Sequence, residues 1–261
     1  MNTAALLCSV VFFVHHSPAQ DGEINVSLAT QRYRQYRIAD TEPPFSLAKV
    51  KAIIAKIKPT PGEDPSEELL VTKAWSRMTT RERFTYCMLH GEVYSQNCNA
   101  MPWVAGEEKK IFAELSGLQG ETLWSDRQRA FLKQNRREVI RLLRTTMQER
   151  RRAGLNLKVA IMEMDAYPLI PDLVRLYQRE RKDQDILTVL GALMKQGKYR
   201  PFVTSTVYRK LYGPDANYQS SIVASEANQK LMLDLATGYY RSRVKYATIL
   251  LLEFPRRRMP S

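Results

Sequence analysis

Helix-start signals are the feature of this sequence that most restricts what it can fold into. Thr79-Thr80-Arg81-Glu82 and Ser125-Asp126-Arg127-Gln128 each place a hydroxyl side chain three residues before Glu or Gln, which is the pattern of a capping box. Asp64-Pro65-Ser66-Glu67 combines a capping side chain with proline at the first helical position. Because the prolines usually fall at such helix starts and not inside alternating apolar patterns, the sequence predicts a mainly α fold.

Apolar residues recur at helical spacing along the rest of the chain, between glycines and prolines that mark helix ends. The first capping box predicts a helix that ends near Gly91, and the second predicts one long helix that ends near Gly154. Further helices are predicted at 157–166, 171–181, 184–196, 201–212 and 224–240. The tail at 244–254 is compatible with a strand or with a helix.

The N-terminus has the pattern of a secretory signal peptide. Residues 4–14 form an apolar run of 11 residues, which is shorter than the about 20 needed to cross a bilayer as a helix. Ser17-Pro18-Ala19 follows, with small residues at the positions that a signal peptidase reads. We therefore expect a signal peptide at 1–19 and a secreted or periplasmic mature chain; a buried N-terminal strand or helix is the alternative.

The mature chain divides by composition into two parts. Residues 20–63 mix charge with tyrosine, contain a short amphipathic stretch at 47–57 and end in a proline-rich linker. We interpret this part as an irregular N-terminal segment. Residues 64–261 then form the α-helical domain, built as a helical bundle or as a short α-solenoid.

A sequence pattern that occurs twice supports the solenoid alternative. Pro171 and Pro201 lie 30 residues apart, and each starts the second helix of a predicted pair, within 159–177 and 189–208. Ala160 and Leu190, and Leu173 and Val203, fall at equivalent apolar positions. This pattern resembles short HEAT-like helical repeats over residues 159–208. The resemblance implies a scaffold that binds other macromolecules and not a catalyst, and three or more such units usually stack to bury a continuous core.

The stretch FTYCMLHGEVYSQNCNAMPW contains the histidine and the two cysteines that would remain after signal cleavage. We expect Cys87 and Cys98 to form a disulfide, because two cysteines in an oxidising compartment usually pair and Gly91 lets the chain turn back. Two free, partly buried thiols are the alternative. Two further alternatives are Cys87 with His90 as a nucleophile and its base, and a zinc site with Cys87, His90 and Cys98 as ligands and Glu92 as a fourth.

No catalytic motif is recognisable in the remaining sequence. The chain has no GxSxG, no phosphate-binding glycine loop and no HExxH, and it resembles secreted bacterial proteins from which no functional residues carry over. We therefore expect no cofactor, no metal and no catalytic residues. A secreted hydrolase, whose acids or Cys87 and His90 meet only in the fold, is the alternative of another class.

Positive charge is the most specific functional signal. The chain holds 40 Lys and Arg against 27 Asp and Glu, for a formal net charge of +13, and residues 125–152 carry ten Lys or Arg against three acids. The predicted anion-binding or partner-binding residues on this helix are Lys133, Arg137, Arg141, Arg144, Arg151 and Arg152. We predict an interaction protein that binds an acidic protein or an anionic polymer. A solvated face is the alternative, and nucleic acid would require that the N-terminus is no signal.

Overall fold

A computed structural model of the protein describes residues 26–57, 72–94, 102–116 and 122–253, with side chains described as far as Tyr246. The predicted signal peptide, the helix start at Asp64 and Cys98 lie outside these residues. The helices are α1 (Leu28–Ile38), α2 (Leu47–Ile54), α3 (Thr72–Arg77), α4 (Thr80–Leu89), α5 (Asp126–Gln134), α6 (Arg136–Arg150), α7 (Leu155–Glu163), α8 (Ile170–Glu180), α9 (Gln184–Gln196), α10 (Arg200–Val203), α11 (Thr206–Tyr212) and α12 (Glu226–Glu253). The mainly α fold is confirmed.

Both complete capping boxes form as predicted. The side chain of Thr79 accepts a hydrogen bond from the Glu82 amide at 3.3 Å, and the Glu82 carboxylate accepts one from the Thr79 amide at 2.9 Å. Ser125 and Gln128 make the same reciprocal pair at the start of α5, with the Ser125 amide donating to Gln128 at 3.0 Å. Local sequence therefore determines where these two helices begin.

The long helix predicted from Ser125 to Gly154 is wrong in two respects. Asn135, with φ −100° and ψ 23°, leaves helical geometry and separates α5 from α6, and its side-chain amide donates to the Phe131 carbonyl at 2.9 Å. The helix then ends at Arg150, with Arg151 in the left-handed conformation. Gly154 caps the start of α7 and not the end of α6.

The N-terminal segment predicted as irregular contains the helix α1. Ser27 caps it by accepting a hydrogen bond from the Thr30 amide at 3.2 Å. The described side chains that α1 buries are Thr30, Tyr33 and Arg37, so its inward face holds no aliphatic residue. A pattern of apolar spacing cannot detect such a helix, because its burial depends on polar partners in other parts of the chain.

Helix α9 lies at the centre of the core. Every residue from Gln184 to Met194 is buried, and α7, α8, α10, α12 and the strand β2 (Lys110–Phe112) pack around it. A helix that is apolar around most of its circumference is suited to such a position. A smaller apolar cluster forms around Val50, Met78 and Tyr86, where α2 packs on α4.

Two short antiparallel ribbons, which the sequence did not predict, complete the described fold. Strand β1 (Val93–Tyr94) pairs with β3 (Thr122–Leu123), and β2 pairs with β4 (Ser221–Val223). Runs of two or three residues are too short to produce a period-2 signal. The segment at 244–254, which the sequence left open as strand or helix, continues α12 as far as Glu253. None of the described helices is long and apolar enough to span a bilayer.

The two helix pairs of the repeated sequence pattern, at 159–177 and 189–208, follow each other in the fold. Helices α7 and α8 form the first pair, and α9 is followed by α10 and α11 in the second. The predicted helix at 201–212 is interrupted, because the Ser205 side chain accepts from the Tyr208 amide at 3.1 Å and starts α11 anew. The relation to HEAT-like repeats stays a prediction.

Candidate functional site

Two open grooves lie side by side between α6 and the segment that leads into and through α8. The first, of about 520 Å³, is lined by Arg136, Arg137, Ile140, Arg141, Arg144 and Pro168. The second, of about 310 Å³, is lined by Met147, Gln148, Arg151, Asp172, Arg175, Leu176 and Arg179. Seven of these described lining residues are arginines and one is an acid. We call Arg136, Arg137, Arg141, Arg144, Arg151, Arg175 and Arg179 the arginine surface.

Helical periodicity places the arginines of α6 on the outer face. Val139, Leu142, Leu143 and Met147 are buried at 3% exposure or less, so the rest of the helix circumference is left to polar residues. The same division holds in α8, where Leu173 and Tyr177 face the core. The arginine surface therefore joins the outer faces of two amphipathic helices.

The floor of both grooves is apolar. In the first groove Ile140, which is 7% exposed, lies opposite the half-buried Pro168. In the second groove the buried Met147 lies opposite the half-buried Leu176. Each groove is therefore lined by these apolar side chains together with arginine side chains.

Asp172 separates the two grooves. Its Oδ2 accepts a hydrogen bond from Arg144 Nε at 2.9 Å, and its Oδ1 accepts one from Arg175 at 2.6 Å. Arg144 also donates to the carbonyl oxygen of Pro168 at 3.2 Å, which ties α6 to the turn before α8. Arg144 thus has a structural role as well as a surface position.

The other arginines of the first groove differ in how firmly they are held. Arg136 donates to the carbonyl oxygens of Met164 and Asp165, at 3.2 and 2.7 Å, and closes the end of α7. Arg137 is exposed, and Arg141 pairs with Glu138 on its own helix while 64% of its side chain stays exposed. Arg137 and Arg141 are therefore the side chains of this groove that are most open to a partner.

The predicted binding residues do not all belong to this surface. Arg137, Arg141, Arg144 and Arg151 lie in it, whereas Lys133 of α5 pairs with Glu163 of α7 at 3.3 Å. Arg152 lies outside the surface, and its side chain donates to the carbonyl oxygens of Tyr36, Ala39 and Asp40. Its guanidinium also stacks on the Tyr36 ring at 4.6 Å, so Arg152 holds α1 in place.

Sequence analysis missed three members of the arginine surface. Arg136 lies in α6 itself, and Arg175 and Arg179 lie four residues apart on α8. Arg175 and Arg179 are spaced i and i+4, and they lie on a different face of α8 from the apolar pair Leu173 and Tyr177. This spacing in the sequence indicates an exposed basic stripe. The meeting of that stripe with α6 was not detectable, because it depends on tertiary packing.

The stretch around Cys87 is buried and structurally engaged. Cys87 is 2% exposed, and burial raises the pKa of its thiol, which opposes formation of a nucleophilic thiolate. His90 packs edge-on against the Tyr86 ring at 5.3 Å. Cys87 forms no disulfide with any described residue, and its predicted partner Cys98 lies outside them. The bridge therefore stays a prediction.

Glu92, considered above as a fourth zinc ligand, has other partners. Its carboxylate accepts hydrogen bonds from Tyr86 at 2.9 Å, from Ser125, and from two nitrogens of Arg127. Burial alone would raise its pKa, but these hydrogen bonds outweigh that effect, so the pKa of Glu92 lies below its usual value. Within the described ranges, no group of three or more potential metal ligands comes together.

A separate cleft of about 400 Å³ has Asp40, Glu163 and His90 among its lining residues. Burial raises the pKa of Asp40, although the residue as a whole is exposed and its carboxylate accepts a hydrogen bond from the Asn156 amide at 3.0 Å. Glu163 pairs with Lys133. Both carboxylates thus have structural partners.

Comparison with known proteins assigns no relative. No family model matches the chain, and no curated protein and no solved structure is detectably similar to it.

Proposed function

We propose that this is a secreted or periplasmic interaction protein that binds an anionic partner, an acidic protein or an anionic polymer, through the arginine surface. The observation that carries the proposal is the charge around the two grooves, where seven arginines and one acid line the described walls. A basic surface of this kind attracts anionic molecules and speeds their association.

The alternative of a merely solvated face accounts poorly for this clustering. Solubility requires net charge but not its concentration in one place, and like charges four residues apart on a helix destabilise it by about 0.2–0.5 kcal/mol per pair. Four of the seven arginines have an acidic partner: Arg144 and Arg175 share Asp172, Arg141 pairs with Glu138, and Arg179 pairs with Glu180. An external anion would remove the remaining repulsion.

The proposal is tested by charge reversal at the two most open positions. Arg137→Glu with Arg141→Glu should leave the fold intact, because both side chains point away from the core. Arg144 is left unchanged, since its bond to Asp172 links α6 and α8. Partners captured from the native secreted fraction by the wild-type protein should be lost from the double variant.

The matched control is Arg209→Glu with Lys210→Glu on α11. It makes the same change in net charge at two exposed residues outside the arginine surface. Binding to the wild type and to the control should weaken with added salt, as the Debye length falls from about 10 Å at 0.1 M to about 3 Å at 1 M. Equal capture by both double variants at every salt concentration would leave the arginine surface without a binding role.

Export is the second part of the proposal and has its own test. We expect the signal peptide to be cleaved near Ala19, as the apolar run and the small residues at Ser17 and Ala19 predict. Intact-mass measurement on protein from the native host checks this. A cytoplasmic species that still begins at Met1 would contradict export and favour the nucleic-acid alternative.

A further inference from the structure

The spacing of apolar and basic groups in the two grooves restricts the kind of anion that they fit. We infer that the occupant is an acidic amphipathic helix of a partner protein, with apolar side chains seven residues apart on one face. This inference rests on the proposed function and narrows it from an anionic partner in general to one class of polypeptide.

The apolar floors set the spacing. Ile140 and Met147 are seven residues apart on α6, which is about 10.5 Å along the helix axis at 1.5 Å per residue. Pro168 and Leu176 form the opposite walls of the same two grooves. Positions i and i+7 of a second helix lie on one face at the same separation, so two apolar side chains could enter both grooves together.

The chemistry of the walls favours protein over a polyanion. Sulfated glycans and polyphosphates offer charge to the arginines but no apolar group to cover Ile140, Pro168 or Leu176. An acidic helix offers both, since carboxylates that flank its apolar stripe can make bidentate hydrogen bonds to guanidinium groups on the rim. Covering the half-buried Pro168 and Leu176 adds binding free energy that a purely charged polymer cannot gain.

The arrangement of α6 and α8 supports a helical occupant. Both grooves are bordered by α6 on one side and by the turn before α8 or α8 itself on the other, and amphipathic helices dock in grooves between helices through i, i+3, i+4 and i+7 anchors. Arg137 and Arg141 stand beside the first groove and Arg151, Arg175 and Arg179 beside the second, so acidic residues are accommodated next to both anchors.

The test uses synthetic peptides and the intact mature protein. The probe is a glutamate-rich peptide of about 20 residues, long enough to form a helix, with two leucines seven residues apart. In the first matched peptide both leucines are replaced by serine. In the second the leucines stand nine residues apart, which places them about 180° apart on a helix of 3.6 residues per turn. Inorganic polyphosphate serves as the anionic polymer that carries no apolar groups. Binding of all four probes is measured by calorimetry or fluorescence anisotropy.

We expect the peptide with leucines seven residues apart to bind at least about tenfold more tightly than either matched peptide, because two apolar side chains are buried together. Arg137→Glu with Arg141→Glu should weaken it by at least about tenfold, and Arg209→Glu with Lys210→Glu should leave it within about twofold. Equal binding of the three peptides, or tighter binding of polyphosphate, would show that the occupant is not an amphipathic helix. Either result would leave the proposed anionic partner in place. Absence of binding for all four probes would overturn the inference, and the capture experiment would then decide the proposed function separately.

Discussion

Arg37 of α1 and Asp185 of α9 form a buried ion pair across 148 residues of sequence. Arg37 Nε donates to both carboxylate oxygens at 3.0 Å, and each side chain is 1% exposed. The guanidinium also lies over the Phe112 ring at 4.4 Å. This pair attaches the N-terminal helix to the central helix of the core.

The pair belongs to a larger buried network. Arg37 also donates to Glu107 at 3.2 Å, and Lys158 of α7 donates to Asp183 at 2.7 Å and lies 3.8 Å from Asp185. Burial raises the pKa of Asp183, although the Lys158 ammonium acts in the opposite direction. Positive and negative groups alternate through the network, so that the loss of one leaves its neighbours as uncompensated buried charges.

We predict that Arg37→Met lowers the free energy of unfolding by about 3–5 kcal/mol, since Asp185 and Glu107 would lose the buried guanidinium between them and keep only Lys158 and Arg34 as cationic neighbours. Chemical denaturation measures the loss. Arg37→Lys should lose less, because it keeps the charge and gives up only the forked geometry. The exposed pair between Lys51 and Glu42 provides the control: Lys51→Ala should cost about 1 kcal/mol or less. Equal losses for Arg37→Met and Lys51→Ala would contradict a structural role for the network.

Glu92 should make folding sensitive to acid. Its pKa is depressed in the folded protein, so its contribution to stability is complete above the unfolded value of about 4.3 and disappears as the pH falls through the folded value. We predict that Glu92→Gln costs about 1–3 kcal/mol at pH 7, a range that allows for the 26% exposure of Arg127. The difference between wild type and variant should shrink below about pH 4 in denaturation curves measured across pH. A difference independent of pH would mean that Glu92 is not an ionised partner of Arg127.

Gly154 allows a close backbone approach that no other residue permits. A Cβ there would lie 2.3 Å from the Thr41 amide nitrogen and 2.5 Å from the Asp40 carbonyl carbon. The contact includes hydrogen bonds from the Gly154 amide to Thr41 Oγ1 at 2.8 Å and from the Leu155 amide to the Ala39 carbonyl at 3.1 Å. Gly154→Ala should therefore destabilise the protein by more than about 2 kcal/mol, because it separates these segments.

Gly106→Ala is the comparison for this prediction. Gly106 has φ +69°, but a Cβ added there would meet no described atom within 4 Å beyond its chain neighbours, so only backbone strain of about 1 kcal/mol applies. Thermal unfolding of the two variants distinguishes steric overlap from strain. If Gly154→Ala lowered stability no more than Gly106→Ala, the segments at 39–41 and 154–156 would be able to separate without a loss of stability.

The Cys87–Cys98 bridge makes a chemical prediction. Peptide mapping without reduction should find the two cysteine peptides linked, and reduction should lower stability by roughly 2.5–3 kcal/mol for a loop of this length. Quantitative alkylation of both cysteines in folded, unreduced protein would contradict the bridge. In that case the burial of Cys87, which raises its pKa, predicts slow modification of its thiol until the protein unfolds.

Short-range signals account for what the sequence by itself determined. The hydroxyl and carboxyl groups of Thr79 and Glu82, or the side chains of Ser125 and Gln128, bond to backbone amides three residues away and start their helices in any fold. The apolar spacing of α6 likewise directed its arginines outward. Such effects act within one or two turns, so local sequence is sufficient to predict them.

Only the tertiary structure decided which charges are available to a partner. Arg152 and Arg137 belong to the same basic segment, yet Arg152 turns inward to the carbonyl oxygens at the end of α1 and Arg137 stays exposed. Arg37 is buried because Asp185 lies beside it, 148 residues further along the chain. A charged side chain is buried only where a distant partner compensates its lost hydration, so its position depends on the assembled fold and not on its neighbours in sequence.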